Sequence, residues 1–275
     1  MQSAENKHVL YNMLHACMYY GAESSPRGLK ISELEDFQFS VSPILPFMTF
    51  KARKYDVNYF KKEMIWKLGA DRFDDSIKKH AKMWESVQNA DGSFNSNYGQ
   101  YWFGEQGGFM HVVTELARDK DSRQAVIPML NASHMALDVK DKVCTFGVGF
   151  RIRDGFLNMS VQMRSSDQIF GLGTDIPTFS FLYRMVHGML MATYPDLQIG
   201  KLTISAMSSH IYQRHYEMVH DILEDGIESY VDTFMPWISG VQEVLFLLST
   251  KGKYTEVPDG FDLAKWLITE EIQPE

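Results

Sequence analysis

The chain has 275 residues, 45 % of them hydrophobic, and a formal charge of −8. That is enough apolar material for a sizeable core, read as one domain over residues 1–275 with a divergent C-terminal part. The acidic balance argues against a duplex-binding surface, because phosphate contacts need clustered Lys and Arg, so no nucleic-acid partner is expected. Cys17 and Cys144, the 2 cysteines, give neither a disulfide framework nor a metal cluster. The N-terminus is polar through His8 and lacks a cationic leader, and the apolar run EVLFLL at 243–248 is far too short to span a bilayer. A reducing cytoplasm and no membrane partner are the expectation.

Residues 8–20 read as a helix, with Cys17 on an apolar stretch that suits core packing. Residues 29–41 alternate apolar and polar side chains and read as a strand. Helices are predicted at 57–68 and 74–88, where aromatic and aliphatic residues return every three or four positions. Residues 89–108, rich in Asn, Gly and Ser, read as loop. A helix near 108–119 precedes strands near 123–130, 143–152 and 156–164. A helix at about 177–193, a strand at 200–207 and a helix from about 211 to 223 follow. This order suits an α+β arrangement, a sheet packed on helices. From about 225 onward no motif is interpretable.

The densest chemistry lies in CTFGVGFRIRDGFLNMSVQMRSSDQIFGLGTD, from Cys144 to Asp175. A thiol followed by Arg164-Ser165 suits covalent attack on a phosphate-bearing molecule. The thiolate attacks, while the guanidinium and hydroxyl hold the phosphate and lower the thiol pKa. Taken alone, a cysteine heading a strand is also a common small core residue. The glycines of FGVGF and FGLGT lack a Rossmann context, and His210 and His215 lack the i, i+4 spacing of a zinc pair, so no metal is expected.

The wider pattern resembles the thymidylate synthase family over roughly residues 25–220. KEMIWKLG (62–69), NADGSFNSNYGQYW (89–102), DSRQAVIPMLN (121–131), Cys144, RSSD with FGLGTD, and SSHIYQRH (208–215) stand in the family's order. There the cysteine precedes an R-S-x-D motif, a G-L-x-x-N turn and a D-x-H-x-Y segment. The departures are Asp175 for the family's Asn, Thr145 for His after the nucleophile, and Ser208 for Asp. All three resemble the bacteriophage branch that hydroxymethylates dCMP. Gln124 replaces a second arginine, and Gly149 stands where the family often has Gln.

This resemblance implies a mixed sheet packed against helices and a homodimer formed through that sheet, with active sites shared between subunits. It implies that Cys144 adds to ring carbon 6 of a pyrimidine monophosphate, and that 5,10-methylenetetrahydrofolate supplies the one-carbon unit as co-substrate. Glu63 is expected to organise water and proton transfers, and its apolar neighbours Met64, Ile65 and Trp66 suit a raised pKa. Tyr98 is expected near the proton leaving ring carbon 5. Arg164, Ser165 and a partner's Arg123 would bind phosphate, with Arg27 of SPRGLK as the N-terminal candidate. His210 and Tyr212 would meet the sugar 3′-hydroxyl, and Asp167, Trp66 and Gly171 the folate.

The base preference follows from hydrogen-bond chemistry. A carboxamide matches uracil's ring N–H and carbonyl. An ionised carboxylate only accepts, so Asp175 takes the exocyclic amine of cytosine and repels a uracil carbonyl. A site built for one edge rejects the other by roughly 10⁴ or more. By position alone, Asp175 also suits a cap for a helix beginning near Ile176-Pro177. The leading expectation is dCMP 5-hydroxymethylation. A cytosine-methylating synthase, a CMP or dUMP hydroxymethylase, and a non-catalytic nucleotide- or RNA-binding relative are the alternatives.

Overall fold

A computed structural model of the chain describes residues 2–47, 49–136 and 138–270. In chain order the main elements are α1 (Gln2–Tyr20), β1 (Ala22–Ser24), β2 (Ile31–Val41), α2 (Val57–Gly69), α3 (Met83–Val87), α4 (Gly99–Trp102) and α5 (Phe109–Arg118). They continue with β3 (Val126–Pro128), β4 (Thr145–Arg153), β5 (Phe156–Met163), β6 (Ser166–Asp167), α6 (Gly171–Leu190), β7 (Gln198–Tyr212), α7 (Tyr216–Asp225), α8 (Val241–Thr250) and α9 (Asp262–Ile268). The described residues gather into two compact units.

The first unit comprises Met1–Tyr55, Asn158–Tyr183 and Ile199–Met235. Its frame is β2 paired antiparallel with β7, from Ile31 opposite Tyr212 to Val41 opposite Leu202. β1 extends this pair at one edge, and β5 follows β7 on the other side. The short β6 runs parallel to the end of β7, setting Ser166 against Ser209 and Asp167 against His210. α1 lies against β2, with Cys17 fully buried and its thiol donating to Ser32 O at 3.1 Å. Burial pushes that thiol up to about 11, so Cys17 is core and no nucleophile, as expected.

The second unit comprises Asp56–Leu157, Arg184–Gln198 and Pro236–Glu275. Here β3 pairs antiparallel with β4, placing Ile127 opposite Val148. An aromatic cluster of Trp66, Trp84 and Phe94 forms the core beside α2, with ring centroids 5.0 to 5.8 Å apart. Such tilted and edge-to-face pairs add to the apolar burial.

Periodicity finds β2, α2, α5, β4 and β5 within a few residues and the end of α1, which starts at Gln2 and not at 8, but four further expectations need correction. The predicted helix at 74–88 is instead a 3₁₀ turn at Ser76–Lys79 and the short α3. Asp74 accepts from Ser76 N at 2.9 Å and gives its carbonyl to Trp66 Nε1 at 2.7 Å, and such local bonds compete with a continuous helix. The loop at 89–108 contains α4. The helix expected from 177 starts at Gly171 and carries Pro177 inside it, where the missing N–H costs only the bond to the Gly173 carbonyl. The strand expected to end at 207 runs on to Tyr212, because Gln213 N still bonds Lys30 O at 2.9 Å, so α7 begins only at Tyr216.

The C-terminal segment, opaque in sequence, is organised by one buried carboxylate. Glu243 of α8 is fully buried and accepts from Ser239 N at 2.6 Å and from Ala264 N of α9 at 2.9 Å. Lys61 of α2 holds the other end of α9, donating to Thr269 O at 2.8 Å with its ammonium 4.3 Å from the Trp266 ring centroid. Among the described residues no helix is long and apolar enough to cross a membrane. Glu243→Ala strands two buried N–H donors and is expected to cost on the order of 3 kcal/mol in urea unfolding, with Glu243→Gln costing less.

Candidate active site

The nucleophile candidate lies in the second unit. Cys144 is half-buried at the bend that leads into β4. Its neighbour Thr145 is fully buried and donates to Tyr98 Oη at 3.1 Å. This bond ties the entrance of β4 to the loop carrying Tyr98.

That loop is fixed by a buried acid. Asp141, 4 % exposed, takes the Ser96 N–H at 2.7 Å and the Ser96 hydroxyl, while its carbonyl takes Asn95 Nδ2 at 2.8 Å. Asn89 Oδ1 accepts from the N–H groups of Lys140 and Asp141 at 3.1 and 3.0 Å. Tyr101 donates to Asn95 O at 3.0 Å, and burial raises its phenol pKa. Gly99 then passes so close to the Lys67 carbonyl that a Cβ would overlap it. The glycine of the N-Y-G string therefore answers a contact with α2.

From α2, Glu63 and Lys67 meet one turn apart, Nζ to Oε1 at 2.5 Å, both nearly excluded from solvent. Lys67 Nζ lies 5.5 Å from the Tyr98 ring centroid. Cys144, Glu63 and Tyr98, chosen from motifs, therefore share one unit and one chain of contacts. Trp66 needs correction: it is 3 % exposed, packs on Trp84 and Phe94, and spends its indole N–H on Asp74 O. Its packing serves the core under α2 rather than a folate surface. Arg123 is exposed in the turn before β3, where Ser122 donates to Glu115 Oε1 at 2.7 Å and orders the segment.

The remaining candidates lie in the first unit. Arg164 and Ser165 form the step from β5 into β6, both half-buried. Past β6, the Asp167 carboxylate accepts from Ile169 N at 3.0 Å. Gly171 stands between two acids: a Cβ on it would lie 3.3 Å from Asp167 Cβ and 4.0 Å from Asp175 Oδ2. Asp175 is the fifth residue of α6, so the helix begins before it and not at Ile176-Pro177. Arg27 occupies an exposed turn with φ +55°, followed by Gly28 at φ +79°.

His210 and Tyr212 share a face of β7, their rings edge-on at 4.9 Å. Ser208, which stands where the family has an acid, donates its hydroxyl hydrogen to Glu33 Oε2 on β2 at 2.5 Å. Ser208 Oγ also lies 3.3 Å from His210 Nδ1; with its hydrogen given to Glu33 it can only accept there, which assigns the ring proton to Nδ1 and leaves Nε2 an acceptor. The neighbouring strand thus returns the carboxylate that position 208 lacks. Burial lowers the His210 pKa, and the nearby acids Asp167 and Glu33 oppose this without reversing it.

Three residues here escaped sequence reasoning. Arg53, 5 % exposed, donates Nε–H to Ile169 O at 3.1 Å and lies 4.7 Å from the Phe170 ring centroid, bracing the turn into α6. Its guanidinium pKa is lowered by burial. Gln168 is fully buried, bonding Ser209 Oγ at 3.1 Å, and its backbone N–H bonds His210 O at 2.8 Å. Arg214 stacks 4.1 Å from the Tyr212 ring centroid. In sequence, KARKY and YQRH look like solvated charge; the partners of Arg53 and Gln168 lie far along the chain, and that of Arg214 two residues away.

Folded His210 takes up its proton at lower pH than the unfolded chain, which does so near 6.5, so acidification through that range favours unfolding. Stability is expected to fall from pH 7 to pH 5, a trend shared with His134, His187 and His215, whose pKa values burial also lowers. His210→Asn should reduce the slope of unfolding free energy against pH by at most about 1.4 kcal/mol per unit, measured by urea titration at each pH.

The family model for thymidylate synthase matches residues 12–233. The chain is 28 % identical over 170 residues to the deoxycytidylate 5-hydroxymethyltransferase of Enterobacteria phage T6, covering 58 % of this chain and 69 % of the relative. The protein of the same description from Enterobacteria phage T4 is 27 % identical over the same shares. A match across most of the chain makes it a member of the thymidylate synthase family, an enzyme that transfers a one-carbon unit to C5 of a pyrimidine nucleotide, with methylenetetrahydrofolate as the donor the family implies.

Proposed function

We propose that the chain converts dCMP to 5-hydroxymethyl-dCMP through a covalent adduct at Cys144, with 5,10-methylenetetrahydrofolate as co-substrate. The observation that carries this reading is Asp175, a carboxylate within α6 beside Gly171, at the position where the family has Asn. An acceptor-only group there favours the amine edge of cytosine. The phage relatives' descriptions support the same substrate and product.

Bound folate supplies a one-carbon unit at the oxidation level of formaldehyde. The residues present fit a flat ring carrying N–H donors: Asp167 offers a carboxylate, and Gly171 beside it adds no side chain. Cys144 adds to ring carbon 6 as the thiolate, making carbon 5 nucleophilic. Tyr98, held by Thr145, stands as the group beside the proton that carbon 5 loses. Glu63 directs the water that completes the hydroxymethyl group. Arg164, Ser165 and Arg27 hold the phosphate, joined by Arg123 of a second copy, and His210 with Tyr212 holds the 3′-hydroxyl. His210, with Nε2 as acceptor, suits a hydroxyl donor.

Incubation with dCMP and methylenetetrahydrofolate is expected to give a hydroxymethyl product by mass spectrometry; a methyl product, or none, overturns the reading. Cys144→Ala should abolish turnover. Asp175→Asn should shift kcat/KM from dCMP towards dUMP by at least about 10², because it restores a donor opposite the carbonyl. An unchanged ratio counts against the base assignment.

A further inference from the structure

Glu63 and Lys67 form an ion pair in a place where charge is expensive. Both are under 5 % exposed, and the Nζ–Oε1 distance is 2.5 Å. Removing two charges from water is compensated only by good geometry and by further bonds to their remaining atoms. The pair is incomplete in one respect. Glu63 Oε2 is buried with no hydrogen-bond partner among the described residues. A buried acceptor left in that condition costs free energy unless another molecule serves it.

The pair is also wired to the nucleophile. The Lys67 ammonium lies 5.5 Å from the Tyr98 ring centroid, Tyr98 Oη accepts from Thr145 at 3.1 Å, and Thr145 adjoins Cys144. The Lys67 carbonyl fixes the approach of Gly99, next to Tyr98. One lysine therefore touches the acid and the tyrosine that the proposed reaction uses.

We propose that Lys67 is a positioning residue: it grips Glu63 Oε1 so that Oε2 is presented as the acceptor for the water that adds to the pyrimidine. This rests on the hydroxymethyl-transfer reading above. In the step concerned, the pyrimidine carries an exocyclic methylene at carbon 5 and Cys144 at carbon 6. A water lone pair forms the C–O bond to the methylene carbon, and the water proton passes to Glu63 Oε2. The displaced π pair moves into the ring and re-forms the C5=C6 bond as the C6–S bond breaks. The thiolate leaves with its electron pair, and Glu63 returns its proton to solvent. Oxidation state is unchanged throughout, and no further reactant is needed.

The test compares two rates in single turnover with [5-³H]dCMP: release of tritium, which precedes water addition, and formation of the hydroxymethyl product, which follows it. Lys67→Met should leave tritium release within about twofold of wild type while product forms about tenfold more slowly or worse, with KM for dCMP little changed. Because Lys67 acts through Glu63, Glu63→Gln and Glu63→Gln/Lys67→Met should form product at the same rate within about twofold. Should Lys67→Met fail to fold, Lys67→Leu, which also removes the donor towards Glu63, carries the same comparison with the same expected split. Equal slowing of both rates, wild-type product formation, or costs that multiply in the double variant would overturn the assignment to Lys67. A wild-type protein that releases no tritium from any cytosine monophosphate overturns the functional reading itself, a different result.

Discussion

A buried carboxylate decides where the thiol and the tyrosine stand. Asp141 takes both the backbone and the hydroxyl of Ser96, and Asn89 takes the N–H groups of Lys140 and Asp141 in return. Two stretches far apart in sequence are thereby clamped: the loop ending at Tyr98 and the segment entering β4 at Cys144. Charge-assisted bonds of this kind are about twice as strong as neutral ones, and burial shields them from competing water. The Thr145–Tyr98 bond then adds fine registration to a coarse position already set. Without the clamp, that single bond would have to order the whole polar loop between α3 and α4, which its net worth of about 1 kcal/mol does not cover.

Substitutions that look like losses in the motif are answered elsewhere in the fold. Serine at 208 lacks the family's carboxylate, yet Glu33 brings one across the β2–β7 ladder and keeps the His210 ring in a defined tautomer. Threonine at 145 lacks an imidazole but engages the tyrosine directly. Reading the motif residue by residue suggests a weakened site, whereas reading the partners describes one rebuilt with shorter side chains.

Much of the architecture was legible because it follows periodicity. The alternation of 29–41 and the apolar returns of 8–20 and 57–68 correspond to elements with one buried face. The start of α6 was not legible, since Pro177 reads as a beginning although the helix tolerates it inside. The stretch 74–88 was not legible either, because Asp74 bonds locally against a helical pattern. Among site residues, those named by motif were accessible from identity and spacing. Arg53, Gln168, Asp141 and Glu243 were hidden for a common reason: each is a polar residue whose partners lie far along the chain, and only burial distinguishes it from solvated charge. Trp66 illustrates the converse, a motif residue whose conspicuous side chain is absorbed by packing.

The contact between Gly99 and the Lys67 carbonyl carries a mechanical consequence. Backbone pressed against backbone leaves no side chain to absorb a shift, so the loop bearing the phenol and the helix bearing the acid travel as one piece. Any breathing of the Tyr98 loop must drag α2 along or open at some other hinge, so the segments carrying Tyr98 and Glu63 are geared together at a glycine.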